Sequence, residues 1–246
     1  MGGAAETDSE VEARLQRYVL YDEVNAPYLR WQLEQFMPFL GRRVMEVGVG
    51  VGAIVAQLGD RDLVVAVDIE PPMVEFTRKR FAGRSNHEFA TLDISALPDA
   101  TRRDLKSKSL DSIVCINVLE HIEDDAAAVA TMADLLVPGG VLALLVPAHP
   151  SLYGPYDKVE AHFRRYTKSS LRKVIEGAGL SVERLYYFNA IGAPGWWWQY
   201  KVMKRDHQTQ SDYKLMEMLV PAMRAIEKAI KPPFGMSVVT VARKPK

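Results

Sequence analysis

The strongest constraint on the fold is a regular exchange between short apolar runs and helix-forming segments along residues 43–146 of this 246-residue chain. Runs such as LVVAV at 63–67 and VLALLV at 141–146 are apolar at every position, which is typical of strands buried on both faces. Strands that alternate with helices predict a parallel sheet that is covered by helices on both sides. The sequence therefore predicts a doubly wound α/β fold.

The predicted elements follow from apolar patterning and turn residues. Strands are predicted at 43–47, 63–67, 87–90, 110–116, 140–146, 182–188 and 236–243, and helices at 54–58, 72–81, 124–136 and 169–178. Before them, residues 11–40 show a rough apolar stripe of helical period, which Pro27 is expected to divide into two helices. Between Pro147 and Thr167 the sequence predicts a long polar and aromatic loop, of a length that usually serves function.

The expected domain organisation is simple. Residues 1–12 are small, polar and acidic, which indicates a disordered lead-in without the features of a signal peptide. Residues 13–246 are predicted to form one domain, with a helical cap built from about 13–40 and about 190–233.

Charge and cysteine content narrow the class of partner. Thirty-one basic and thirty-one acidic side chains cancel, so the bulk charge does not favour nucleic acid or an anionic membrane. Cys115 is the single cysteine, which excludes an intrachain disulfide and suits a cytoplasmic location. No apolar run reaches the roughly 18 residues that a membrane span requires.

A glycine-rich segment, EVGVGVG at 46–52, directly follows the first strand and opens the next predicted helix. Glycine is required where the chain turns tightly or a ligand approaches the backbone, because a Cβ atom would collide. A structural turn, a dinucleotide site and a site for an adenosine cofactor without pyrophosphate all remain possible. The G-x-G-x-G spacing departs from the dinucleotide pattern G-x-G-x-x-G.

Asp68 ends the second predicted strand, where a carboxylate can accept hydrogen bonds from both ribose hydroxyls of an adenosine. The alternative is an acidic helix cap ahead of Pro71.

Together these motifs resemble the class I S-adenosylmethionine-dependent methyltransferases, over residues 44–184. The resemblance also includes TLDI at 91–94, LDSIVCINVLEHI at 110–122 and LVPGG at 136–140, which are weak singly but specific in their order and spacing. It implies S-adenosyl-L-methionine as the cofactor. It also implies a mostly parallel, seven-stranded sheet in which the last strand, 236–243, runs antiparallel to the others.

For the methionine end of the cofactor, the resemblance implies that Gly48, Gly50 and Gly52 line the site. Glu46 would support the loop or meet the amino group through water, and Asn117 would face the methionine portion through its backbone.

For the adenosine end, the resemblance implies that Asp68 binds the ribose and Asp93 accepts a hydrogen bond from the adenine amino group. Ile94 would pack beside the adenine ring and Ile69 on its other side.

Methyl transfer to an oxygen or nitrogen atom benefits from a general base, and His121 is the candidate. It follows the fourth predicted strand, at the edge where ligands bind in open α/β sheets. An ordinary histidine pKa of about 6.5 suits a general base near neutrality. The alternative is a histidine that caps the next helix or packs on the cofactor without chemistry.

The long loop supplies a second group of candidate residues, which resembles the acceptor border of a subgroup of bacterial methyltransferases. The candidates for binding a polar or anionic acceptor are Tyr153, Asp157, His162, Arg165 and Tyr166. The alternative is an internal ion-pair network, for example Asp157 with Arg165. No metal is expected, because neither a cysteine nor a tight acidic cluster completes a set with His149 and His162.

The segment Trp196–Trp198 is followed by cationic residues, which could border an apolar acceptor or a membrane surface, but it lacks a clear amphipathic repeat. Internal packing of the cap is the favoured interpretation. The expected partner is a small or lipid-like acceptor, not nucleic acid. Two other functions remain open: cofactor binding without methyl transfer, and an NAD-dependent oxidation.

Overall fold

A seven-stranded sheet organises the computed structural model, which describes residues 8–205, 209–230 and 232–246. In chain order the strands are β1 (Arg43–Val47), β2 (Leu63–Asp68), β3 (His87–Thr91), β4 (Leu110–Ile116), β5 (Leu136–Pro147), β6 (Ser181–Phe188) and β7 (Ser237–Arg243). Their order across the sheet is β3-β2-β1-β4-β5-β7-β6. β7 pairs antiparallel with β5 and β6, while the other pairs are parallel, which confirms the predicted topology.

Eight α-helices accompany these strands in the described residues. They are α1 (Asp8–Glu34), α2 (Pro71–Arg80), α3 (Asp99–Ser107), α4 (Asp125–Leu135), α5 (Pro155–Val159), α6 (Lys168–Gly177), α7 (Gly192–Trp196) and α8 (Gln210–Ala229). The sequence did not predict α3, because Leu105 is its one buried side chain and the remainder is charged or small. A helix with so narrow an apolar stripe leaves little periodic signal.

The order of the strands reverses between β1 and β4. From β1 the chain moves outward to β2 and β3, and then returns to β4 on the other side of β1. In an open α/β sheet the crevice at this switch point, outside the carboxyl ends of the strands, is where ligands bind. The segments after β1, β2 and β4 therefore meet at one edge of the sheet.

Pro27 does not divide the first helix, contrary to the expectation from the sequence, since α1 runs unbroken through it. An interior proline costs a helix about 3 kcal/mol. Here the C-terminal half of the helix is anchored by burial: Trp31 is 3% and Leu33 is 2% exposed, and the Trp31 ring lies 4.3 Å from that of Phe188. Burial of large apolar side chains is of a size that offsets the local penalty.

Two other expectations need revision. The helix predicted at 54–58 is a single 3-10 turn, Val55–Gln57. The glycine loop is therefore not followed by a long helix whose dipole could act on a ligand. The predicted loop 147–167 contains a 3-10 turn, Pro150–Leu152, and α5. Residues 1–7 of the expected lead-in lie outside the described residues, and residues 8–12 already belong to α1.

The two segments expected to form a cap are in contact. Arg224 of α8 pairs with Glu34 of α1 at 2.9 Å, and the Asn189 amide donates to the Tyr28 hydroxyl at 3.2 Å. Between α7 and α8, Trp197–Val202 forms a short π-helix. Within the described residues, every helix is either too short or too polar to cross a bilayer.

Cys115 is expected to be inert in the native protein. Its side chain is 0% exposed in the centre of β4, and burial, reinforced by nearby Glu120, raises the pKa of the thiol. Labelling by a thiol-specific disulfide reagent at pH 8 should be at least about 10³-fold slower than in guanidinium, because it requires global opening. Prompt labelling of the folded protein would contradict this burial.

Candidate functional site

The glycine loop turns back onto the end of β2. The amides of Gly48 and Val49 both donate to the Val67 carbonyl, at 2.8 and 3.0 Å. Gly48 has φ +80°, and a Cβ atom there would lie 2.2 Å from Cγ2 of Val118. The loop after β1 is therefore packed directly against the segment after β4, and only glycine fits at this contact.

The other two glycines of the loop have different surroundings. A Cβ atom at Gly52 would lie 2.7 Å from Phe81 and 2.9 Å from Thr77, so this position packs against α2 and its C-terminal cap. A Cβ atom at Gly50, which has φ +50°, would have no described atom within 4 Å. Gly50 is thus the glycine that faces open space, as a backbone that receives a ligand should.

Asp68 joins the glycine loop to the end of β2. Its Oδ2 accepts from the Gly50 amide at 2.9 Å and its Oδ1 from the Glu70 amide at 3.0 Å. Each carboxylate oxygen has a second lone pair, so the group is held in place with acceptor capacity left over. Asp68 is not the helix cap that the sequence left as an alternative: Glu70 occupies the N-cap position of α2, no side chain caps the helix, and at this end of α2 Asp68 holds only the Glu70 amide.

The loop and Asp68 fit the cofactor that the fold implies. Gly50 leaves space at its Cα, and the carboxylate next to it is oriented by two backbone amides. Glu46 is 3% exposed at the end of β1, directly under the loop. Residues of α1 approach this site from outside. Burial raises the pKa of Tyr18, and the nearby charges of Glu70 and Asp68 contribute to the same shift. Arg14 forms an ion pair with Glu70.

The residues predicted for adenine lie beside Asp68, because the Leu92 amide donates to the Asp68 carbonyl at 2.9 Å. Asp93 Oδ1 accepts from the Ser95 amide at 2.8 Å and from its hydroxyl at 2.6 Å. Ile94 is 4% exposed, whereas Ile69 is 63% exposed and has apolar surface to offer. Their roles toward adenine stay predictions.

Asn117 follows β4 with φ +53° and an exposed side chain, and its amide donates to the Leu145 carbonyl at 2.9 Å. The positive φ of Asn117 is an uncommon backbone conformation, and it changes the direction of the chain between β4 and the turn Leu119–His121.

That turn places Glu120 and His121 opposite His162 of the long loop. The ring centroids of His121 and His162 are 4.6 Å apart. One donor atom from each of Glu120, His121 and His162 lies within 4.8 Å of the others. We name these three residues the Glu-His-His cluster. Both histidines were predicted site residues from the sequence, whereas Glu120 was not, although it adjoins His121.

The cluster is electrostatically unusual. Burial raises the pKa of Glu120 to about 7, against the opposing charges of His162 and Arg165. Desolvation by the surrounding chain, followed by His162, lowers the pKa of His121 to about 4, although part of the residue remains exposed to solvent. His121 is therefore a neutral imidazole at pH 7, and a weaker proton acceptor than an ordinary histidine.

Behind the cluster, Asp157 is tied into an internal network. Its Oδ1 lies 2.7 Å from Arg165 Nε and 2.9 Å from His162 Nδ1, and its Oδ2 accepts from the Gly154 amide at 2.9 Å. Asp157 and Arg165 are 1% and 5% exposed. The ion pair that the sequence analysis left open is present, so Asp157 and Arg165 brace the loop; a direct role toward an acceptor stays a prediction.

The two predicted tyrosines also make contacts within the protein. The Tyr153 hydroxyl donates to the His162 carbonyl at 2.7 Å, and that of Tyr166 to Asp125 at 2.7 Å, with Tyr166 2% exposed. The structure thus brings Tyr153, Asp157 and Arg165 together around His162, whereas Tyr166 is buried against Asp125 and the Leu119 carbonyl.

An aromatic group closes this side of the site. Trp196 packs on Tyr200 and Tyr156, with ring centroids 4.1 and 4.9 Å away, and the Arg165 guanidinium lies 5.1 Å from the Trp196 ring. Trp197 and Trp198 point outward and are 49% and 56% exposed. Internal packing therefore holds for Trp196 alone.

The Methyltransferase domain family matches residues 45–142 of this chain. An uncharacterized methyltransferase of Mycobacterium tuberculosis is 33% identical over 121 residues, which cover 49% of this chain and 58% of that protein. A ubiquinone biosynthesis O-methyltransferase of Paracidovorax citrulli is 27% identical over 121 residues, which cover 48% of each. The matched part thus spans about half the length of these curated relatives.

Solved structures match over most of the chain. One is a chain from the complex between the Haloferax volcanii Trm112 methyltransferase activator and its candidate methyltransferase, at 18% identity and a TM-score of 0.63, with 98% of both chains covered. Another is the N-methyltransferase NodS of Bradyrhizobium japonicum, in complex with S-adenosyl-L-homocysteine, at 16% identity and a TM-score of 0.55, with 94% of this chain and 88% of that one covered. Such identities establish the fold. The methyltransferase domain matched at residues 45–142 and the order of strands in the sheet support a class I, S-adenosylmethionine-dependent methyltransferase.

Proposed function

We propose that this protein transfers a methyl group from S-adenosyl-L-methionine to an oxygen or nitrogen atom of a small or lipid-like acceptor. The observation that carries the proposal is the hydrogen bond from the Gly50 amide to Asp68, because it sets a carboxylate with spare acceptor capacity next to open backbone. A ubiquinone biosynthesis O-methyltransferase among the relatives and an N-methyltransferase among the fold neighbours support an oxygen or nitrogen acceptor.

When bound, the cofactor supplies a methyl group on a sulfonium sulfur; the acceptor lone pair forms the new bond, the carbon–sulfur bond breaks, and its electron pair stays on sulfur. The protein's part is to orient the two partners and to accommodate the proton that the acceptor loses. Gly48, Gly50 and Gly52 form the cradle for the methionine end, with Glu46 beneath it, and Asp68 and Asp93 hold the adenosine. Asn117 and His121 stand at the acceptor side, next to the loop.

The acceptor pocket is proposed between the Glu-His-His cluster and Trp196. His162 and Tyr153 contribute polar groups, and the Trp196, Tyr200 and Tyr156 rings form an apolar wall. Such a wall suits an aromatic or lipid-like acceptor with a hydroxyl or amino group. A cytoplasmic location remains part of the proposal.

Calorimetric titration with S-adenosyl-L-methionine, with NAD as the control ligand, tests the cofactor assignment. Micromolar binding of the first and none of the second is expected, because the loop lacks the pyrophosphate pattern. Binding of NAD instead would favour an oxidoreductase. Cofactor binding without S-adenosylhomocysteine release, across a screen of phenolic, amine and lipid acceptors, would favour a protein of this fold that does not transfer methyl groups.

His121→Ala is expected to lower turnover by about 10²-fold, the lower end of the range for a proton-transfer group. The dissociation constant of S-adenosyl-L-methionine should change by less than about twofold, because His121 faces the acceptor. The measurement is steady-state kinetics with an acceptor from the screen, paired with calorimetry. His87→Ala is the matched control, since His87 begins β3 at the opposite edge of the sheet. Normal turnover in His121→Ala would show that His121 only packs in the site and takes no part in the reaction.

A further inference from the structure

We propose that Glu120, His121 and His162 bind one divalent transition-metal cation at the acceptor side of the site. Two imidazoles and one carboxylate converge here, with donor atoms within 4.8 Å of one another. Ligands held about 2.1 Å from one tetrahedral ion stand about 3.4 Å apart, so shifts of roughly 0.8 Å by each donor atom close the site.

The first argument is the state of Glu120. The residue is 1% exposed, and its Oε2 is fully buried without a hydrogen-bond partner among the described residues. Buried carboxylates in proteins are paired or coordinate metals, because leaving one charged and unpartnered is costly. His121 and His162 each place a ring nitrogen within 4.8 Å of a Glu120 carboxylate oxygen. A dication bound between the three side chains would satisfy this oxygen.

The second argument is the orientation of the two rings. His162 Nδ1 is hydrogen-bonded to Asp157 Oδ1 at 2.9 Å, and Asp157 is fixed in turn by Arg165 at 2.7 Å. The backbone of Glu160 is near enough to the His121 ring to affect it. The His162 ring has one nitrogen engaged with an oxygen acceptor. A carboxylate or carbonyl behind each ligating histidine is the usual arrangement around protein metals, because it sets the tautomer and the ring angle.

The ligand set indicates the class of metal. Imidazole suits Zn²⁺, Mn²⁺, Fe²⁺ and Co²⁺, whereas Mg²⁺ and Ca²⁺ prefer all-oxygen sets. Three protein ligands leave at least one position open, as in catalytic rather than structural sites. From the sequence, His149 and His162 were not expected to bind a metal, because no further ligand completed a set with them. His149 instead stacks on Tyr187, 4.8 Å between ring centroids, while Glu120 completes the set.

The role of the cation rests on the proposed function. A cation at this site would lower the pKa of a hydroxyl that approaches it, so that the proton passes to water before the oxygen takes up the methyl group. His121 then acts as a metal ligand, and the loss of turnover expected for His121→Ala follows from the loss of the cation.

The test is titration of untagged, chelator-treated protein with Co²⁺, followed by visible absorption, and with Zn²⁺, followed by calorimetry. One ion per chain is expected for the wild type. Glu120→Gln, which is nearly isosteric, and His121→Ala, at a residue with exposed surface, should each weaken binding by more than about 100-fold. Asp157→Asn should weaken it by about 10–100-fold, because it disturbs the orientation of His162. His87→Ala should bind like the wild type.

No stoichiometric binding to the wild type, or wild-type affinity in both Glu120→Gln and His121→Ala, would overturn the site. Its role is tested separately with an active acceptor: chelation should abolish transfer and leave S-adenosyl-L-methionine binding intact. The wild type could bind the metal, the variants could lose it, and yet no acceptor could be methylated. That result would support the metal site and disprove the proposed function. Transfer that persists undiminished in the chelated, metal-free protein would overturn the catalytic role of the cation.

Discussion

Replacement of Asp68 by alanine is expected to weaken the binding of S-adenosyl-L-methionine by about 10²–10⁴-fold. Two hydrogen bonds to a charged acceptor contribute about 1.5–3 kcal/mol each, and every 1.4 kcal/mol is about tenfold in affinity. The same carboxylate positions the Gly50 and Glu70 amides, so its loss also frees the backbone that should receive the methionine end. Calorimetry on the folded variant measures this effect.

Two variants make the Asp68 result specific. Asp68→Asn keeps one acceptor oxygen and should bind more tightly than Asp68→Ala, but less tightly than the wild type. Asp62→Ala removes a carboxylate just before the other end of β2, where Asp62 pairs with Arg42, and should leave affinity unchanged. Equal affinity in Asp68→Ala and the wild type would show that Asp68 serves only to hold the loop and the Glu70 amide.

Gly48→Ala is expected to destabilise the fold by about 2–5 kcal/mol. An alanine at φ +80° costs about 1–2 kcal/mol, and its Cβ would lie 2.2 Å from Val118 Cγ2, an overlap of the kind that costs a further 1–3 kcal/mol or so. For a chain of this size the midpoint of thermal unfolding should fall by about 4–20 °C. Differential scanning calorimetry measures the change, and Val118→Ala in the same chain should restore part of it.

Gly50→Ala is the matched variant two residues away. It also has a positive φ, but its Cβ would have no described atom within 4 Å, so only the backbone cost of about 1–2 kcal/mol applies. The methyl group would instead enter the space proposed for the cofactor and lower affinity by about 5–150-fold, the equivalent of a 1–3 kcal/mol overlap. Unchanged affinity in Gly50→Ala would place the cofactor elsewhere; equal stability of the two variants would contradict the packing of Gly48 on Val118.

The sheet and the glycine loop were predictable because their signals are local. Fully apolar runs such as those of β2 and β5 report burial on both faces, and Asp68 and Gly50 lie at strand ends, where the topology of a parallel sheet brings ligands. The antiparallel direction of β7 was not readable from the pattern and came from the resemblance to the family.

The acceptor side was predicted only in part. The residues of the long loop were identified, but whether Asp157 and Arg165 face a ligand or each other depends on contacts eight residues apart within a folded loop. Glu120 was missed because a glutamate next to a helix start usually signals an exposed first turn. Here the Leu119–His121 turn buries it under the loop, where the Phe163 amide donates to its carbonyl at 2.8 Å.

What the sequence alone determined is the order of the seven strands along the chain, the glycine loop and the acid that ends β2, because each depends on neighbours along the chain. The tertiary structure decided the rest. Burial of Trp31 and Leu33 stabilises α1 as one helix despite Pro27. Gly48 packs against Val118, whereas a Cβ atom at Gly50 would meet no described atom within 4 Å. The fold also sets Glu120 and His121 against His162, forty-one residues further along the chain from His121, and so creates a buried, unpaired carboxylate between two imidazoles. Desolvation and charge proximity depend on distance in space, and the spacing of residues along the chain does not carry that information.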